Sequence, residues 1–147
     1  MCEPIQIIYD VKALEGTCYV ELKPGKYTGN HWNKDSIYFS DETFSFFSFA
    51  IEKHYKRYSL FGVSEISMQT WGLIIAELEK LKSILQNNPN IAELKKHLVF
   101  LLEEITEKNF LKDFHENINR LIRVITELQT WVMNTSKKHD FISILGI

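Results

Sequence analysis

The chain predicts an α+β fold: a small N-terminal antiparallel β-sheet packed on a C-terminal bundle of about four α-helices. Two changes of pattern predict it. Before Asp41, short apolar runs are separated by turn residues; after it, apolar residues recur at steps of three and four. Gly and Pro also cluster in the first part, with Gly16, Pro24, Gly25 and Gly29 all ahead of Asp41. At 147 residues the expectation is one domain, a β-rich part over 1–40 and a helical part over 41–147. No internal repeat appears, which argues against a solenoid.

The elements follow in order. Ile5 to Tyr9 reads as a first strand and Thr17 to Leu22 as a second. In the second, Cys18, Val20 and Leu22 share the apolar face, and Cys18 there reads as a small buried hydrophobe. Pro24-Gly25 suits the centre of a type II turn, because Pro presets φ and Gly accepts a positive one. Ser36 to Phe39 makes a third short strand. The first helix begins at Ser40 or Asp41, with Phe44, Phe47, Ile51, Tyr55 and Tyr58 on its buried stripe, and ends by Gly62. Val63 to Ile66 is a brief extended connection. Ser67 caps a second helix whose buried face is Trp71, Ile74, Ile75, Leu78, Leu81 and Leu85. Asn88 and Pro89 start a third helix, with Ile91, Leu94, Leu98, Leu101 and Ile105 in its stripe. A short connection at Lys108-Asn109 leads to a fourth, carrying Leu111, Phe114, Ile118, Leu121, Ile125, Leu128 and Val132. These stripes suit packing within one bundle, and they also suit a homodimer seam.

Composition narrows the function classes. The formal net charge is −2 and both halves of the chain are near neutral, so no extended basic surface is available for DNA. The first residues, Met1-Cys2-Glu3-Pro4, have neither the basic nor the apolar part of a secretory signal. No apolar run approaches the roughly 20 residues of a membrane span. With two cysteines, Cys2 and Cys18, no disulfide framework is expected. The expectation is a cytoplasmic protein bound to neither DNA nor membrane.

The histidines form no catalytic or metal-binding constellation. His31, His54, His97, His115 and His139 form no HExxH pair, and Glu93 with His97 supplies two ligands where zinc needs more. There is no Gly-x-Ser-x-Gly elbow and no phosphate-binding glycine loop; His31 with Asp35 is the nearest thing to a base and its orienting acid. The expectation is no cofactor, no metal and no enzyme. Lys53-His54-Tyr55-Lys56-Arg57-Tyr58 interleaves bases with aromatics, a pattern that also serves single-stranded RNA. A small RNA-binding or regulatory protein is therefore the alternative function. Cations near a helix C-terminus, with both tyrosines on the core stripe, give that segment a purely structural explanation.

The segment from Pro24 to Phe39 carries the clearest functional signal, because it places Tyr27, His31 and Trp32 where a loop normally carries small polar residues. Of the 19 aromatic residues, 13 lie in residues 1–61, more than so small a sheet can turn inward. Such side chains either anchor a partner or fold back onto the domain. The candidate partner-binding residues are Tyr27, His31, Trp32, Lys34 and Asp35, joined by Asp41 and Glu42 at the start of the first helix.

One resemblance bears on these residues. Ile8-Tyr9-Asp10-Val11, the run Tyr19 to Trp32, and Asp35-Ser36-Ile37-Tyr38-Phe39 resemble small bacterial immunity proteins of contact-dependent growth inhibition systems, and the likeness extends to about Leu85. The resemblance implies a cytoplasmic, non-catalytic protein that binds a cognate toxin domain, commonly a nuclease delivered by a neighbouring cell, and covers its active site or substrate surface. Asp41 and Glu42 would then meet basic residues of the toxin. The near-neutral charge departs from the strongly acidic partner expected for a basic nuclease.

Overall fold

A computed structural model describes residues 4–147; Cys2 and the Met1-to-Glu3 part of the expected signal-free terminus lie outside the described residues. Four strands form one antiparallel sheet: β1 (Tyr19–Pro24), β2 (Ile37–Ser40), β3 (Val63–Ser67) and β4 (Phe141–Leu145), in the order β2-β1-β4-β3. Six α-helices complete the α+β architecture: α1 (Asp41–Ser45), α2 (Ser48–His54), α3 (Met68–Gln86), α4 (Ile91–Leu94), α5 (Glu104–Lys112) and α6 (Phe114–Thr135).

Alternation sorts the strand residues into two layers. Val20, Leu22, Ile37, Phe39, Ile66, Ile142 and Ile144 join the core that the helices cover. Tyr19, Glu21, Tyr38, Ser143 and Leu145 belong to the opposite face, by the registers Glu21↔Tyr38 and Glu21↔Leu145, and all five are buried as well. A sheet buried on both faces needs a second cover. The loop between β1 and β2 supplies it.

The C-terminal strand is the element that sequence periodicity missed. Phe141 to Leu145 enters between β1 and β3 and pairs with both, so the last residues of the chain complete the middle of the sheet. Beyond it, Gly146 N–H donates to Gly62 O at 2.9 Å and Ile147 N–H to Leu60 O at 2.9 Å. A Cβ at Gly146 would run into the Leu60 carbonyl, so this backbone approach requires glycine. From the helical side, the Trp71 indole N–H donates to Ile142 O at 3.1 Å and ties α3 to β4.

Several boundaries move for packing reasons. The first expected strand is an isolated bridge: Ile8 exchanges two 2.8 Å backbone bonds with Tyr38, on the outer edge of β2. Tyr9 is exposed, and its hydroxyl donates to Glu127 at 3.1 Å. Cys18 is exposed ahead of β1, not buried in a strand. Pro24 is still in β1; the left-handed residue is Gly25, at φ 81°, as expected of it. Val63 to Ile66 is extended, as expected, but it is a paired strand rather than a connection.

The expected first helix breaks into α1 and α2 at Phe46-Phe47. Of the two expected starting points, Ser40 or Asp41, the helix begins at Asp41 and Ser40 caps it, accepting from Thr43 N–H at 3.1 Å. Phe44 and Phe46 would point roughly 200° apart on one straight helix, yet both are buried. Phe44 packs edge-on to Phe39, Phe47 and Tyr58, while Phe46 meets Phe100 and Phe110. The expected third helix also divides. Asn90, not Asn88, caps a single turn, and the chain then leaves the helix so that Leu98 and Phe100 can reach the core. Leu101 is only half-buried and Ile105 is exposed. The turn expected at Lys108-Asn109 falls instead at Asp113, where Asn117 Nδ2 donates to Phe110 O at 3.0 Å and satisfies a carbonyl at the end of α5. Leu111 is exposed in α5.

The two long helices match their expected faces. Ser67 caps α3 by accepting from Thr70 N–H, and Trp71, Ile74, Leu78, Leu81 and Leu85 are buried, with Ile75 half-buried. On α6, Ile118, Leu121, Ile125, Leu128 and Val132 face the same core, with Phe114 partly buried against it. Among the described residues no helix is long and apolar enough to cross a membrane.

Two outcomes follow from this packing. Ile144→Ala, which removes a wholly buried side chain from the central strand, should lower stability by about 2–5 kcal/mol in urea unfolding. A loss below about 0.5 kcal/mol would mean that β4 is not held in the core. The second outcome concerns Glu77 on α3, whose carboxyl is held below its ordinary range chiefly by a hydrogen bond from Lys53, with His54 and Lys80 adding to it against the cost of burial. A depressed folded-state pKa gives stability that is present above the unfolded value near 4.5 and is lost as pH falls through the folded one. Glu77→Gln should therefore flatten the decline of stability below about pH 4.5; an unchanged acid limb in pH-dependent unfolding would contradict this.

Candidate functional site: an aromatic loop fastened to a buried carboxylate

The β1–β2 loop is fastened to three strands. Gly25 O accepts from Ser143 Oγ at 2.8 Å, and Gly25 N–H donates to Phe141 O at 2.8 Å. Lys26 places its ammonium 4.6 Å from the centre of the Phe141 ring. Tyr27 N–H donates to the Glu65 carboxylate on β3 at 2.9 Å. His31 Nε2 lies 3.3 Å from Gly146 O, just past β4. The loop thus runs out to β3 and returns across the end of β4 to β1.

Glu21 is where it is fixed most firmly. This side chain is fully buried in the middle of β1, on the face away from the helices. Its Oε1 accepts from Trp32 N–H at 2.6 Å. Its Oε2 accepts from Asn33 N–H at 2.9 Å, Asn33 Nδ2 at 3.0 Å and Ser36 Oγ at 2.6 Å. Four donors converge on one carboxylate, the condition under which a buried negative charge is tolerated. Tyr38 completes the arrangement by donating its hydroxyl to Asn33 O at 2.8 Å. Burial first, and the Glu21 charge second, raise the Tyr38 pKa and keep that hydroxyl a donor.

These bonds hold a backbone that the residue types do not favour. Trp32 has φ 62° and Asp35 φ 69°. Asp tolerates the left-handed region; for a bulky Trp it costs on the order of 1–3 kcal/mol. Two successive N–H groups, from Trp32 and Asn33, can aim at one carboxylate because the chain turns there.

The rings make a continuous series. Tyr27 meets His31 at 6.1 Å between centroids, His31 meets Trp32 at 6.0 Å, and Trp32 meets Tyr38 at 5.6 Å and Tyr19 at 6.5 Å. Tyr19 and Tyr38 are buried beneath, Tyr27 is half-buried, and Trp32 keeps 36% of its surface exposed. The loop therefore folds back on its own sheet and leaves part of Trp32 at the surface. His31, Lys34 and Asp35 are exposed around it.

Asp41 and Glu42 have other surroundings. Asp41 Oδ1 accepts from Glu42 N–H at 2.8 Å in the first turn of α1. Glu42 lines a groove of about 710 Å³ with Phe46, Phe110, Asn117 and Arg120, against α5 and α6. The structure thus brings five of the seven candidate residues into one loop and places Glu42 in a separate depression. Glu21, Asn33, Ser36 and Glu65, which set the loop's shape, were missed, since a strand pattern gives no sign that a glutamate is buried. In the Lys53-to-Tyr58 segment Lys53 Nζ pairs with Glu77 at 3.0 Å and Tyr58 is buried, while Lys56 and Arg57 are exposed. Among the described residues no group of three or more His, Cys, Asp or Glu is placed to hold a metal ion.

Glu21→Gln keeps the shape of the side chain but replaces one acceptor oxygen with a donor facing donors. It should cost about 2 kcal/mol at neutral pH and make residues 26–35 the first site of protease cleavage. Equal urea midpoints and equal cleavage patterns for the two proteins would show that the carboxylate is not what holds the loop.

No protein-family model matches the chain, and neither a curated protein nor a solved structure does.

Proposed function

We propose that this chain is a non-catalytic binding protein that neutralises a toxin domain, a nuclease delivered by a neighbouring cell, in the cytoplasm of the cell that makes it. The likeness of residues 8–85 to immunity proteins is the source of the toxin assignment. The observation that carries the binding role is the state of Trp32. Its backbone N–H is fixed by a buried carboxylate at 2.6 Å, its ring is seated among three other rings, and 36% of its surface faces solvent.

A large aromatic side chain already held in place loses little freedom when a partner covers it, which is the property that makes such residues anchors. His31, Lys34 and Asp35 give the anchor a polar rim of both charge signs. A near-neutral chain suits a partner recognised by shape and apolar contact more than by net charge. The alternative role in RNA binding is supported less well, because Tyr58 is buried and offers no face for stacking.

Co-purification with the product of the adjacent upstream reading frame tests the proposal. A complex should form at micromolar concentration or below, and Trp32→Ala should weaken it by about 30-fold or more, the mark of an anchor residue, with little change in melting temperature. Absence of a complex at micromolar concentration would sink the toxin-binding reading. A complex indifferent to Trp32→Ala would move the interface off the loop.

A further inference from the structure

A second depression lies away from the aromatic loop, where α2, α3 and the turn after α4 meet. It encloses about 320 Å³ and is lined by Phe49, Ala50, Lys53, Glu77, Lys80, Leu81, Ile84, Lys96 and His97. Its charges are unbalanced. Glu77 is the one acid in the lining, and its Oε1 alone is shared by Lys53 Nζ at 3.0 Å, His54 Nε2 at 3.3 Å and Lys80 Nζ at 3.5 Å. Two ammonium groups therefore divide one carboxylate oxygen. Lys96, on the third element, has no ion-pair partner among the described residues; its neighbour Lys95 takes Glu107 at 3.1 Å instead.

The lining between these charges is apolar. Leu81 is buried, Ala50 and Ile84 are half-buried, and Phe49 leaves 47% of its surface open. The Lys53 and Lys80 side chains are 60% and 71% exposed and Lys96 is exposed too, so water screens their mutual repulsion and all three ammonium groups are open to a ligand.

We propose that this groove is a binding site for a small phosphorylated molecule with an apolar body. A phosphate monoester carries nearly two negative charges and three acceptor oxygens, and it can engage ammonium groups arriving from three directions. A carboxylate offers less, and the protein's own Glu77 already leaves the lysines under-neutralised. The apolar lining takes the rest of the molecule, and the volume lies at the lower end of the range for small-molecule sites. Glu77 acts as the counter-charge of the empty site and competes with the ligand for Lys53 and Lys80.

Phenyl phosphate, inorganic phosphate and benzoate, titrated separately at low salt and followed by calorimetry and amide NMR shifts, test this. Phenyl phosphate should saturate in the millimolar range or below and bind about tenfold more tightly than either of the others. Lys96→Ala should weaken it about fivefold at an unchanged melting temperature, and Glu77→Gln should tighten it. Failure to saturate below about 10 mM would overturn the site, as would unaltered binding by Lys96→Ala. Benzoate binding as tightly as phenyl phosphate would overturn the phosphate assignment, and inorganic phosphate doing so would overturn the role of the apolar lining. Weaker binding by Glu77→Gln would overturn the competition assigned to Glu77. None of these outcomes bears on toxin binding, because the groove shares no residue with the loop.

Discussion

The Glu21 carboxylate is the interaction on which the outer half of this structure depends. An ionised carboxylate removed from water costs several kcal/mol unless hydrogen bonds replace its hydration. Here four donors replace it, and three of them come from Trp32 and Asn33, in a turn the chain does not otherwise favour. The dependence runs both ways. Without the loop, Glu21 would be an exposed acid on a sheet face; without Glu21, the Trp32 and Asn33 N–H groups would be buried with no acceptor. Each makes the other tolerable, and the left-handed backbone of Trp32 is the cost of the arrangement.

A sheet of four strands with helices on one face normally leaves the other face wet. In this chain the fastened loop covers it, so the central strands are buried on both sides. That explains the composition of β4. Ile142 and Ile144 face the helices, and Ser143 and Leu145 face the loop, with all four at 0% exposure. Ser143 is acceptable there because its hydroxyl donates to Gly25 O, at the first residue of the loop. The last strand and the loop thus close over each other, linking the two ends of the sequence through β1.

How much of this was legible in the sequence depends on the range of the forces involved. Local signals were sound: the helix start at Ser40-Asp41, the Ser67 cap, the positive φ of Gly25, and the buried faces of α3 and α6 each follow from a few neighbouring residues. The breaks at Phe46, after Leu94 and at Asp113 were not, because they serve an aromatic cluster that joins Phe46 to Phe100, Phe110 and Phe114, more than fifty residues further along the sequence. Phe141 to Leu145 did carry a signal, a short β-branched and apolar segment interrupted by Ser143 alone, which suits a strand buried on both faces. In the candidate site, the aromatic loop itself was legible from Tyr27, His31 and Trp32. Its fastening was not, since Glu21 alternates with Val20 and Leu22 just as a solvent-facing residue would.

If the loop is held as described, Trp32 belongs to a rigid surface rather than being a mobile side chain, and the binding role proposed for it rests on that rigidity. Native-state hydrogen exchange of the Trp32 and Asn33 amides is the most direct measurement. Both N–H groups end on a buried carboxylate, so they should exchange as slowly as the paired amides of β1. Exchange as fast as that of exposed Thr28 and Gly29 would contradict the account.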